Sequence, residues 1–251
     1  MPAYSAFALV LKRTNLGETD RILTLLTREH GKLKAVAKGS RRSRSRLSGA
    51  TELFTAVRML LATGKSLDIV TQAEITDSFP SLRQDIDRLA RATYLCEFLD
   101  RFTEERDAAA GQELFDIALR GLHQLSAQGA DMDLVVHFCE LRMLAALGYL
   151  PELQRCVRCG ASLTGRSSGF SPSLGGALCG NHRFEAEDAV ALSRGAVEVM
   201  LALVENDQPD LSPISPGESA EIDRALRWYI RYRADRPLRA ADFLDQLRAA
   251  R

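Results

Sequence analysis

Lys32-Leu33-Lys34-Ala35-Val36-Ala37-Lys38 alternates charged and apolar residues with a period of two. Successive side chains of an extended strand point to opposite faces, so Leu33, Ala35 and Ala37 share one face and Lys32, Lys34 and Lys38 the other. Such a strand lays one face on a core and turns the other to water. Working outward, the same grammar recurs. Tyr4 to Lys12 is a β-rich apolar run, and Arg21 to Thr27 follows the turn Leu16-Gly17-Glu18-Thr19-Asp20. His30-Gly31 turns the chain into the quoted strand, and Phe54 to Leu61 and Leu67 to Thr76 flank the turn Ala62-Thr63-Gly64-Lys65. Five short strands in succession predict a small barrel, an OB-fold or, on pattern alone, an SH3-like barrel.

At Ser78-Phe79-Pro80 the period changes to 3.6. Leu82, Ile86, Leu89, Ala90, Thr93 and Leu95 begin a helical stripe. Further helices are predicted at Gly111–Ala127 and Met132–Leu147, the latter ended by Gly148 and Pro151. Others follow at Ser193–Val204, Glu218–Arg233 and Ala240–Ala250. The reading is an α+β multidomain chain, with a barrel over 1–78 and a mainly α-helical domain over 79–251. No internal repeat is visible.

Inside the helical domain, at 152–184, lie Cys156-Val157-Arg158-Cys159-Gly160 and Cys179-Gly180-Asn181-His182. Each supplies two metal-type ligands two residues apart, and the Gly/Ser/Pro-rich loop between them closes the chelate. Cys156, Cys159, Cys179 and His182 make a Cys₃His set, one of the ordinary tetrahedral sets for Zn²⁺. Four protein ligands leave no open position, so the expected metal is structural. Cys96 and Cys139 fall in apolar helical patterns and read as inert core thiols.

A 46% hydrophobic and 26% charged composition over 251 residues is that of a soluble globular protein. No apolar run approaches a membrane span, Met1-Pro2-Ala3-Tyr4 opens no signal peptide, and the cysteine usage suits a reducing cytoplasm. The zero net charge hides an asymmetry. Residues 1–50 hold eleven Lys/Arg against three Asp/Glu, a net of +8, while residues 72–150 hold seven against fourteen, a net of −7. A basic module that meets a polyanion is implied, on an acidic body that meets something else.

The basic module concentrates its charge in Lys32, Lys34, Lys38, Arg41, Arg42, Arg44 and Arg46. Mutual repulsion among so many cations is relieved by a polyanion, and phosphate contact through counterion release is the expected use. The bland alternative is a solvated edge strand with a mobile loop. No aromatic residues interleave with these cations, so backbone contact with little sequence preference is expected. A second stripe, Arg224, Arg227 and Arg231, occupies one face of the penultimate helix, with Arg233 and Arg236 beyond. Pairing with Glu221 or Asp223 would produce the same pattern. Gly64-Lys65-Ser66 is no phosphate loop, since Met59 stands where the first glycine is required. With neither a deaminase, a dinucleotide nor a hydrolase motif present, no catalytic residues are assigned, and the chain reads as a binding protein and not an enzyme.

Three further stretches carry a resemblance. Leu16-Gly17-Glu18-Thr19-Asp20-Arg21-Ile22-Leu23, Thr27-Arg28-Glu29-His30-Gly31 and Ala37-Lys38-Gly39-Ser40-Arg41-Arg42 resemble the amino-terminal domain of the bacterial RecO family of DNA repair proteins. The likeness continues through Leu147-Gly148-Tyr149-Leu150-Pro151 and Cys156 to Gly160, and ends at Arg236-Pro237-Leu238-Arg239-Ala240-Ala241-Asp242-Phe243-Leu244. It implies an OB-fold, a helical domain and an inserted zinc knuckle. It also implies recombination mediation: binding single- and double-stranded DNA, annealing complementary strands without ATP, and helping RecA displace single-strand-binding protein together with RecR. The acidic tail of single-strand-binding protein would then need an apolar groove rimmed by arginines, expected within residues 81–150. The competing expectation is a zinc-stabilised scaffold whose basic barrel binds acidic protein tails.

Overall fold

The computed structural model describes residues 2–129, 131–163 and 168–249. Five strands close a barrel: β1 (Ala3–Leu16), β2 (Asp20–Thr27), β3 (Gly31–Ala37), β4 (Ala56–Ala62) and β5 (Asp68–Asp77). Their order around the barrel is β1-β2-β3-β5-β4, with β4 returning to β1. All pairs are antiparallel except β3 with β5, where Ala35 meets Asp68 and Val36 meets Ile69. That closure is the OB-fold arrangement, and it separates the two barrels left open by strand pattern alone.

Alternation sends Ala6, Ala8 and Val10 of β1, Leu23 and Leu25 of β2, and Leu33, Ala35 and Ala37 of β3 into one core. The outer face is not all solvent. Leu9 and Leu26, cross-strand partners on β1 and β2, are fully buried outside that core. Helices α2 (Ile86–Phe102) and α3 (Gly111–Ser126) pack on these strands and cover them. Gly31 permits one close approach: its φ is +64°, and a Cβ there would lie 1.8 Å from the carbonyl oxygen of Asp107.

The expected single helical stripe after residue 80 is two helices. A short α1 (Pro80–Gln84) stops at Asp85, whose carboxylate accepts from the N–H groups of Asp87 and Arg88 and so caps α2. Ile86, expected in the apolar stripe, is 52% exposed at that new start.

Compactness divides the chain into Met1–Ser126 with Asp242–Arg251, and Ala127–Ala241. Helices α1 to α3 thus lie in the same compact unit as the barrel. The unit around Ala127–Ala241 is built on α4 (Met132–Ala146), buried on most of its circumference and capped by Asp131. Helices α5 (Arg194–Glu205) and α6 (Pro216–Arg233) pack on α4. A small sheet, ordered β7-β6-β8 from Gly176–Leu178, Ser168–Ser171 and Val190–Leu192, packs on α6. Phe170 of β6 meets Tyr229 of α6 edge-on, with centroids 5.8 Å apart. The last helix, α7, spans Arg239–Ala249; Ala250, expected within it, and residues 164–167 of the knuckle loop lie outside the described residues.

Asp68 pins the barrel's seam. It is fully buried at the β3–β5 pairing and accepts hydrogen bonds from Tyr4 Oη at 2.5 Å, Gly64 N at 3.2 Å and Arg106 Nη2 at 2.8 Å. Burial alone would raise the Asp68 pKa, but the bonds from Tyr4, Gly64 and Arg106 outweigh it and hold the carboxyl below its usual value. Desolvation, followed by the bond to Asp68, pushes the Tyr4 phenol up to about 12. Since the folded-state value is depressed, this stabilisation is complete above the unfolded carboxyl's pKa and is lost as pH falls through the folded one. Asp68→Asn should cost about 1–3 kcal/mol in urea unfolding at neutral pH, with the gap to wild type closing in acid below about pH 4. A gap that persists unchanged in acid would contradict this account.

Candidate nucleic-acid interface and metal centre

Residues 38–46 are a chain of hydrogen-bonded turns. Gly39 N donates to Asp20 Oδ1 at 2.7 Å and Arg41 N to the Thr19 carbonyl at 2.9 Å, tying the run to the β1–β2 hairpin. Arg42 N and Ser45 N close successive turns onto the carbonyls of Gly39 and Arg42. The bond from Gly39 N, then that from Thr19, hold the Asp20 carboxyl below its usual range. Leu47 packs against the barrel core, so a segment that reads as a loop with nothing to bury is anchored at both ends. Lys38, Arg41, Arg42, Arg44 and Arg46 are exposed on this fixed backbone. Arg41 donates to the Gly17 carbonyl at 2.9 Å. Among the described residues, none of these five forms an ion pair.

The cations on and beside the strands fare differently, because acidic residues in and between α2 and α3 meet them. Lys32 departs from the expectation of an outward phosphate contact. It is 7% exposed, and its ammonium donates to the Asp100 carbonyl and lies 3.4 Å from the Asp100 carboxylate. The alternation placed it correctly on the outer face, but α2 covers that face. Lys34 is exposed yet bound to Glu105, and that hydrogen bond raises its pKa. Arg28 pairs with Asp116 at 3.0 Å. Much of the +8 excess counted along residues 1–50 is therefore answered within the unit.

On α6, Arg224 and Arg231 are exposed, whereas Arg227 is half-buried between Asp223 at 3.1 Å and the Ala241 carbonyl at 3.2 Å. Arg233 lies over the Tyr229 ring, 5.1 Å from its centroid, and Arg236 is exposed. Several arginines expected around a partner groove are also engaged. Arg83 donates to the Leu53 carbonyl, Arg88 to that of Leu125, and Arg142 to Val204 and Asp207.

The four ligands separated in sequence come together. Sγ of Cys156, Cys159 and Cys179 and a ring nitrogen of His182 all lie within 4.8 Å of one another. Cys159 and Cys179 sulfurs are 4.0 Å apart, and His182 Nδ1 lies 3.8 Å from Cys156 Sγ and 3.1 Å from Cys179 Sγ. A tetrahedron with metal–sulfur bonds near 2.3 Å has edges of about 3.8 Å, so the set fits one ion with little movement. Two tight turns arrange it. Gly160, with φ at +71°, donates to the Cys156 carbonyl at 2.8 Å, and His182 and Arg183 both donate to the Cys179 carbonyl at 3.0 Å. Burial opposes ionisation of Cys156, but backbone donors from Cys179, Cys159 and Arg158 overcome it and bring the thiol down to about 6. A thiolate ready at neutral pH is what a metal requires. Around it Leu163, Ala177 and Leu178 form a small core with the Cys156 side chain. By contrast, desolvation pushes the buried Cys96 thiol up to about 12, as befits an inert core group.

The fold and the site define an OB-fold protein with exposed cations on an ordered turn run and, in its helical unit, a Cys₃His cluster that could hold a metal ion. The comparisons with known proteins agree. Residues 1–79 match the family described as Recombination protein O N terminal, and residues 83–242 match Recombination protein O C terminal. The chain is 41% identical over 255 residues to the DNA repair protein RecO of Symbiobacterium thermophilum, covering all of both chains. It is 40% identical to that of a Roseiflexus species, over 98% of this chain and 86% of the relative. With the protein of Pelotomaculum thermopropionicum it shares 37%, over 98% and 95%. The chain belongs to the RecO family of DNA repair and recombination proteins. Among the described residues, no helix is long and apolar enough to cross a membrane.

Metal analysis of the purified chain should return one ion per molecule, and Cys156→Ser should lose it together with thermal stability. Structural ions of this ligand type contribute on the order of 10 kcal/mol in small modules. Wild-type protein without metal, or a variant melting at the wild-type temperature, would contradict the assignment.

Proposed function

We propose that this chain is a recombination mediator that binds single- and double-stranded DNA, anneals complementary strands without ATP, and helps load RecA onto DNA covered by single-strand-binding protein. It does so together with RecR. The observation that carries this reading is the cluster of exposed, unpaired cations, Lys38, Arg41, Arg42, Arg44 and Arg46, on a backbone held by Asp20. Fixed cations lower the repulsion between two phosphate backbones, and without aromatic neighbours they leave the bases of both strands free to pair. Lys34, Arg224 and Arg231 are secondary phosphate contacts, Lys34 after release from Glu105. In this reading Lys32 serves the fold, with Arg227 committed to Asp223 and the Ala241 carbonyl.

The ion at Cys156, Cys159, Cys179 and His182 is Zn²⁺ in this proposal. It supplies fold stability, since four protein ligands leave no position for substrate. The partner tail of single-strand-binding protein, acidic and ending in an aromatic residue, docks on the helical part, where a ring needs an apolar pocket and its carboxylate a cation.

Replacing Arg41, Arg42, Arg44 and Arg46 together with Ala should weaken single strands and duplexes alike, whatever their sequence, with little change in melting temperature. The slope of log affinity against log salt should become shallower by roughly 2 for single strands if about three phosphate contacts are lost. Annealing of complementary strands should fall in parallel. An unchanged slope would move the DNA to another surface, and a loss confined to one sequence would mean base readout at this run.

A further inference from the structure

Annealing requires single strands to be distinguished from duplex, and the turn run at 38–46 offers nothing that could do so. The Ala127–Ala241 unit does. Between α6 and the knuckle segment lies an open cleft of about 650 Å³. Trp228 and Tyr232 of α6 line it, four residues apart and hence on one helix face, together with Leu174. These side chains are 52%, 58% and 37% exposed, a costly state for large apolar groups that have nothing to meet. Arg158 and Arg231 also line the cleft, as do Glu185, Glu187 and Asp188. Asp188 is committed to the fold, accepting from Ser171 Oγ and Ser173 N at 2.7 Å each. Phe184, next to Glu185 in sequence, is 80% exposed beneath the Arg183 guanidinium, 4.3 Å from its centroid.

The charges do not favour a phosphate inside the cleft, because carboxylates outnumber the arginines there. They do suit a base. An unpaired base offers a π-face to Trp228 or Tyr232 and, where it bears an exocyclic amino group, N–H donors for a carboxylate. Its phosphate, one sugar away, can meet Arg158 or Arg231 at the rim. We propose that this cleft receives unpaired, amino-bearing bases of single-stranded DNA, cytosine in preference to thymine, with Trp228 and Tyr232 as stacking surfaces and Glu185 and Glu187 as acceptors. Thymine presents a carbonyl oxygen where cytosine presents the amino group, and a carboxylate repels it. Duplex bases, already stacked and paired, cannot enter. This rests on the reading of the chain as a DNA-binding protein and adds a second site that selects strand state.

Trp228 is the sole tryptophan of the chain, so its emission reports on this cleft alone. Full-length protein is titrated with labelled oligo(dC) and oligo(dT) of equal length and with a duplex, following label anisotropy and Trp228 emission together. Oligo(dC) should quench the emission and bind roughly tenfold more tightly than oligo(dT), and the duplex should bind without quenching. Trp228→Ala should lose roughly tenfold in oligo(dC) affinity with duplex affinity unchanged, while Trp228→Phe, which keeps a ring, retains most of it. Glu185→Ala with Glu187→Ala should close the gap between the two oligonucleotides. Binding by anisotropy with unaltered emission would overturn the cleft assignment while leaving DNA binding elsewhere intact. Equal quenching by both oligonucleotides would overturn the amino-group selection. Emission answering only to an acidic peptide would give the cleft to a protein partner and overturn the proposal. No DNA binding by anisotropy would remove the functional reading itself.

Discussion

An ammonium cannot be buried unless oxygen acceptors surround it. Lys32 meets that condition through the carbonyl and the carboxylate of Asp100, near the end of α2. Carbonyls in the last turn of a helix lack intrahelical donors and carry the negative end of its dipole, which makes this a good place to receive a cation. Nearby, Arg106 N donates to the Lys32 carbonyl at 2.7 Å while its guanidinium reaches Asp68. The segment following α2 is thus stitched to β3 and β5 at the parallel pairing that closes the barrel.

The same pairing sorts the basic charge. Asp100 of α2, Glu105 just beyond it and Asp116 of α3 meet Lys32, Lys34 and Arg28, so acidic residues in and beside the helices answer much of the basic charge that linear counting sets apart from them. What remains unanswered is gathered on the turns between β3 and β4, where Asp20 holds the backbone and the side chains extend into water. The proposed function places the polyanion at this compact cluster of cations. The metal-ligand set is separate in place: it lies in a segment whose own apolar core is only a few residues, and in the proposed reading an ion there adds the order that so small a core does not supply.

How much of this could be read beforehand depended on range. The strands were legible because side-chain alternation is local, and the ligand set because four chelating residues at that spacing have few other uses. The helix break at Asp85 was hidden, since an apolar stripe continues in register across a capping residue. The burial of Lys32 was hidden too: its face is set by alternation, but what covers that face is Asp100, far along the chain. Topology likewise required the β3–β5 pairing, which no periodicity announces. The aromatic cleft combines Trp228 with Leu174 and Arg158, and nothing in the local pattern of any one of them marks it.

Internal ion pairs leave one compact cluster of unpaired arginines on the barrel, and the proposed function makes it the main DNA contact. Arginine footprinting with a dicarbonyl reagent, read by mass spectrometry with and without a saturating single strand, tests it most directly. Arg41, Arg42, Arg44 and Arg46 should react readily in the free protein and be protected by DNA, whereas Arg28 and Arg106 should react at the same rate in both. Protection of Arg28 and Arg106 with Arg41 to Arg46 unaffected would contradict it.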